Sequence, residues 1–140
     1  VTHQIFLNAT LSFLSLPYKW GGDDPIKGFD CSGLIQELYA MIGLDPKGDQ
    51  TAQALYEYFK TRSKESHRGC GALVFYGKST LAITHVGMMV DDQTIIEAGG
   101  GGSNTHTLED AAKQNAFVRL RPYNHRQDIV SVLYPYKLPW

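Results

Sequence analysis

The chain is 140 residues long, 43% hydrophobic and one unit from electrical neutrality. That composition suits one compact domain over residues 1–140, with one core and not two. The near-zero charge, with no basic run, lacks the electrostatic footprint of a nucleic-acid binder, and no apolar stretch is long enough to span a bilayer. The N-terminal segment has neither the basic head nor the small-residue cleavage site of a signal peptide. The chain is therefore expected to be soluble, while a start at Val1 fits a piece cut from something larger and leaves its location undetermined.

Residues 2–16 place Ile5, Phe6, Ala9, Phe13 and Leu16 at helical spacing, stopped by Pro17. Residues 18–25, with paired glycines and an Asp-Pro step, read as an ordered loop leading to Cys31. From 32 to 42, Leu34, Ile35, Leu38, Tyr39 and Ile42 recur at three and four, with Gly43 as the stop. A third helix is expected over 51–61, and the polar stretch 62–71 reads as loop. The pattern then turns to strands at 72–76, 84–90, 94–98, 117–120 and 129–134. Thr107-Leu108-Glu109-Asp110 has the form of a capping box and predicts a short helix between strands. Helices first and antiparallel strands later make an α+β fold.

The chemistry concentrates at Cys31. It follows Asp30, a capping residue type, and opens an amphipathic run that must be helical. A thiol at a helix N-terminus sits at the positive end of the macrodipole, which favours thiolate over thiol. Cys31 could in principle pair with Cys70, but nothing else suggests a disulfide framework, so Cys31 reads as a reduced thiol. Downstream, strand alternation sends Val86, Met88 and Val90 to the core and His85 to the opposite face. In the next strand Ile96 and Ala98 are the core residues, which leaves Glu97 on the side of His85. An odd-membered hairpin loop centred on Asp91 would set 85 directly opposite 97, within reach for an imidazole to donate to a carboxylate. Each group has a plain alternative: an inert buried cysteine, a satisfied strand histidine, a solvated edge charge. Together they compose a nucleophile, a base and an orienting group.

In order and spacing, Pro17-Tyr18-Lys19-Trp20-Gly21-Gly22, Phe29-Asp30-Cys31-Ser32-Gly33-Leu34, Gly71-Ala72-Leu73-Val74-Phe75 and Thr84-His85-Val86-Gly87 resemble the NlpC-type cell-wall peptidases over about residues 10–100. The resemblance implies a papain-like α+β fold, with N-terminal helices on an antiparallel sheet and the nucleophile at the N-terminus of a core helix. It implies hydrolysis of bacterial peptidoglycan stem peptides, typically at the bond from γ-D-glutamate to a diamino acid. It further implies Cys31 as nucleophile, His85 as base, Tyr18 near the thiol, and Asp30 and Ser32 beside the substrate. Gly71-Ala72 departs from the family's usual Gly-Asp, at the cost of a turn carboxylate. The third catalytic position, often His in the family, is Glu97 here. The Gly-rich stretch after Glu97 on a bare domain is similar to versions carried by phage and prophage tails, which would make a larger tail or wall-targeting assembly the partner.

Other features rank below these. Tyr18 is either core filler or a hydrogen-bonding group near the thiol or oxyanion. Trp20 reads as a packing anchor, Gly21 and Gly22 as turn residues, and residues 99–102 as a mobile lip of a cleft. His3, His67, His106 and His125 are scattered without metal-ligand spacing, so neither metal nor cofactor is expected. An acyltransferase or amidase on the same scaffold, and a tail-assembly or wall-binding module with a vestigial triad, are the competing functions.

Overall fold

A computed structural model describes residues 2–24 and 28–140; the Asp-Pro step expected to shape the loop before Cys31 falls partly outside them. In chain order the elements are α1 (His3–Leu11), β1 (Asp23–Asp24), β2 (Gly28–Phe29), α2 (Cys31–Ala40), α3 (Ala52–Phe59), β3 (Ser63–Glu65), β4 (Leu73–Gly77), β5 (Ile83–Met89), β6 (Thr94–Gly99), α4 (Leu108–Gln114), β7 (Phe117–Pro122) and β8 (Ile129–Pro135). Strands β3 to β8 form one antiparallel sheet in the order β3-β8-β4-β5-β6-β7, and β1 pairs with β2 in a short ribbon of its own. The expected α+β class is the one found.

Alternation along the strands separates two faces. Leu73, Phe75, Val86, Met88, Ile96 and Ala98 join the main core, while Val74, Tyr76, Met89 and Ile95 form a smaller cluster on the reverse side. Helix α2 packs on β5 and β6, and α3 on β5. Tyr39 of α2 meets Phe59 of α3 edge-on, and Tyr56 meets Phe75 in the same way. The Tyr39 hydroxyl satisfies its buried polar end by donating to the Gly71 carbonyl at 2.5 Å.

Three expectations need correction. Helix α1 ends at Leu11 and not at Leu16, because the next residues serve the sheet: Ser15 N–H donates to Val118 O, Val118 N–H to Leu16 O, and Tyr18 N–H to Ala116 O. This strap covers the first part of the open edge of β7, at Phe117 and Val118, which would otherwise present unpaired backbone groups. Within 62–71, taken as loop, Ser63–Glu65 pairs with β8 as an edge strand. The hairpin centre also shifts. Met88 faces Ile96 and Met89 faces Ile95, while Asp91 Oδ1 accepts from the backbone N–H of Gln93 and Thr94. The loop is odd-membered, as expected, but centred on Asp92. Extended, that register puts Glu97 across from Gly87 and leaves His85 on the diagonal.

Candidate active site

Cys31 is the first residue of α2, and the sequence around it builds that helix end closely. Asp30 is the N-cap: its Oδ1 accepts from Gly33 N–H at 2.7 Å and its Oδ2 from Gly21 N–H at 3.1 Å. Ser32, buried, donates its hydroxyl to Asp30 Oδ1 at 3.3 Å. Gly33 has to be glycine, since a Cβ there would lie 2.0 Å from the Gly22 carbonyl oxygen. The loop at Gly22 is thus pressed against the first turn of α2. Asp30 and Ser32 fix that turn from behind and are not among the residues that line the cavity in front of the thiol.

That cavity, about 240 Å³, is lined by Tyr18, Trp20, Cys31, Thr84, His85, the stretch 97–102, Arg119, Arg121, His125 and Arg126. A larger hollow of about 410 Å³ near Gly43, Tyr58 and Tyr136 brings no nucleophile and base together. Although diagonal in register, His85 and Glu97 share a face, and long side chains span the diagonal. His85 Nε2 lies 2.8 Å from Glu97 Oε1, with Glu97 only 2% exposed. Cys31 acts on the same ring by hydrogen bonding and by charge, and both side chains line the cavity.

The electrostatics of the pair are reciprocal. Burial alone would push His85 down, but hydrogen bonds to Cys31 and Glu97 and the charges of both outweigh it and raise the imidazole to about 9. Burial would raise Glu97, yet the His85 hydrogen bond and the positive charges of His85, His125 and Arg119 hold it down at about 2. At neutral pH the geometry therefore stabilises an imidazolium beside a carboxylate. The Tyr18 hydroxyl is pushed up by burial first, then by Cys31 and Asp30, so it stays protonated and able to donate.

Several residues have settings that sequence reasoning did not anticipate. Trp20, read as a packing anchor, is 50% exposed at the cavity rim, with its backbone N–H donating to Thr105 O at 2.7 Å. The glycine stretch is a lip, but one pinned in place. A Cβ on Gly101 would sit 2.3 Å from the Tyr18 ring, and Gly102 N–H donates to the buried Thr105 hydroxyl. His125, passed over as scattered, brings Nε2 to 3.2 Å from Glu97 Oε1. Arg119 Nε stands 3.7 Å from Glu97 Oε2, and Arg119 also donates to Asn115 O. A signal for the arginine was present, since 119 pairs directly with 97 once β7 is laid against β6. Nothing local points to His125, which arrives on the loop after β7. Cys31 and Cys70 are both free thiols. Burial, with the charge of Asp91, raises Cys70 to about 11, and it lies outside the cavity lining.

The chain is 35% identical over 102 residues to the bifunctional muramidase/DL-endopeptidase CwlT of Bacillus subtilis, covering 71% of this chain and 30% of CwlT. It is 31% identical over 99 residues to the murein DD-endopeptidase MepH of Escherichia coli, covering 68% of this chain and 35% of MepH. The chain thus spans about a third of the length of these relatives. Among solved structures, the NlpC/p60 domain of the peptidoglycan hydrolase SagA superposes with a TM-score of 0.67 at 22% identity, over 95% of this chain and 98% of that one. RipD of Mycobacterium tuberculosis, a non-catalytic NlpC/p60 domain protein, also reaches 0.67, at 20% identity over 97% of this chain and 98% of RipD. The fold alone therefore does not decide for catalysis, and the site has to. A model of the NlpC/P60 family matches residues 15–122, and the chain belongs to that family.

Proposed function

We propose that this chain is a cysteine endopeptidase that hydrolyses amide bonds in peptidoglycan stem peptides, at the bond from γ-D-glutamate to a diamino acid. One observation carries the reading: Cys31 opens a capped helix, and its partner His85 is held from the far side by Glu97 at 2.8 Å, all in one cavity. The DL-endopeptidase CwlT supports the substrate class. A wall-binding module like RipD would have no use for an imidazole held between a thiol and a buried carboxylate.

The mechanism follows from the donors present. With its proton already held by His85, the Cys31 sulfur attacks the scissile carbonyl, forming a C–S bond as the carbonyl electrons move to oxygen. The Cys31 backbone N–H, one of the first-turn donors with no intrahelical acceptor, meets the oxyanion together with the protonated Tyr18 hydroxyl. His85 then hands its proton to the leaving amine as the C–N bond breaks, and Glu97 keeps the ring oriented and stabilises its charge. Water, deprotonated by His85, adds to the thioester carbonyl, and the C–S bond breaks with its electrons returning to sulfur, which leaves the proton on His85 and restores the starting pair. Asp30 and Ser32 act on the placement of the nucleophile's backbone.

The test is digestion of purified muropeptides by wild type and by Cys31→Ala, read by mass spectrometry. Products with a new γ-D-glutamate carboxyl, absent with Cys31→Ala, are expected. Intact substrate with wild type, or equal cleavage by the variant, would exclude the reading.

A further inference from the structure

We propose that the cavity contains, on the side of His85 away from Tyr18, a subsite for a free carboxylate on the substrate residue that carries the leaving amine, anchored by Arg121. This rests on the endopeptidase reading above. Antiparallel pairing sets Arg119 opposite Glu97 and Arg121 opposite Ile95, so both guanidinium groups stand on the face that bears His85. Besides His85, four basic side chains line the cavity, Arg119, Arg121, His125 and Arg126, against Glu97 as its acid.

Three of the four already have work. Arg119 and His125 stand against Glu97, and Arg126 forms a bidentate pair with Asp128 at 2.8 and 2.6 Å. Among the described residues no carboxylate lies within ion-pair distance of Arg121. A half-buried guanidinium whose charge no described carboxylate meets favours an anion from outside, and its planar fork suits a carboxylate.

Position supplies the polarity. Tyr18 packs on Gly101 and pairs with Ala116 at one end of β7, and the lining then runs through Glu97 and Arg119 to Arg121. His85, which must protonate the departing nitrogen, is level with Gly99 and Phe117 in the extended register, just inside the Tyr18 end, and its ring reaches Glu97 one step further towards Arg121. The acyl part therefore stays beside Cys31 and Tyr18, while the leaving residue extends towards Arg121. A residue with a free carboxylate near its amine meets the guanidinium there, and one whose carboxyl is an amide does not.

The probes are the tripeptide Ala-γ-D-Glu-Lys with a free C-terminal carboxylate and the same peptide with a C-terminal primary amide. Their binding to the Cys31→Ala protein is measured by calorimetry. The carboxylate form is expected to bind about 10-fold tighter. Adding Arg121→Gln should bring the preference below about 2-fold, while Arg121→Lys keeps part of it. Arg68→Gln, outside the cavity with its guanidinium over the Tyr123 ring, should keep all of it. Equal binding of the two peptides, no measurable binding of the carboxylate form at millimolar concentration, or an undiminished preference after Arg121→Gln would overturn the proposal. Cleavage of the same peptides by wild type is scored separately. An Arg121-dependent preference without cleavage would sustain the subsite and defeat the endopeptidase reading.

Discussion

The two faces of the main sheet come from the same strands and do opposite work. On the face under α2 and α3, alternate residues such as Phe75, Val86, Met88 and Ile96 are fully buried among apolar neighbours. On the reverse face the intervening positions carry His85, Glu97, Arg119 and Arg121, beside an apolar cluster around Tyr76. The first face stabilises the fold by removing apolar surface from water. The second holds charge in a low-dielectric hollow, where each ionised group needs its partner. A strand residue thus reports its role by parity, and substitutions on the two faces should fail in different ways.

The largest expected effect is on the covered face. Phe75→Ala removes a fully buried ring that packs on Tyr56 and should cost about 3–5 kcal/mol in urea unfolding. The fraction that remains folded should keep wild-type chemistry. A Phe75→Ala protein as stable as wild type would break the assignment of that face to the core.

Next comes Glu97→Ala on the reverse face. It frees the His85 ring to rotate and leaves His125 and Arg119 without the carboxylate they surround. Turnover on muropeptides should fall about 10-fold to 1000-fold. Circular dichroism should show the fold intact. Undiminished turnover would remove Glu97 from the site.

The smallest effect is expected at Cys70, the thiol on the wrong side of the comparison. Buried, raised to about 11 and absent from the cavity lining, it has no base at hand. Cys70→Ser should keep turnover within about 3-fold of wild type, under about 1 kcal/mol in barrier. A loss like that of Cys31→Ala would mean the wrong thiol has been named as nucleophile.

Most of this division is legible in the sequence because parity is a local property. The apolar run of β4, the alternation in β5 and β6, the capping box before α4 and the capped thiol are each encoded within a few residues. The errors arise where long-range pairing decides. Residues 12–16 have helical spacing, yet after a few tight turns Ser15 N–H and Leu16 O bond to Val118 of β7, and polar residues 63–65 become a strand only because β8 offers an edge. The hairpin centre turned on which residue of the Asp91-Asp92 pair caps the loop, and Asp91 does so from the position before the centre. His85 and Glu97 still meet, because a two-residue slip preserves the face even as it changes the partner. His125 was beyond reach, since its place at Glu97 depends on a loop held by Tyr76, whose hydroxyl donates to Tyr123 O at 2.5 Å.

The central claim is that Cys31, His85 and Glu97 act as one unit, and the pH dependence of kcat/KM on a γ-D-glutamyl peptide tests it most directly. His85 must be protonated to release the amine, and its raised value of about 9 sets where activity falls as the pH rises. Glu97→Gln keeps an acceptor oxygen for the ring but removes the negative charge that helps hold that value up. The account predicts a wild-type profile whose alkaline limb lies near pH 9, and a Glu97→Gln profile, still active, whose limb moves to lower pH. Identical alkaline limbs in the two proteins would contradict it.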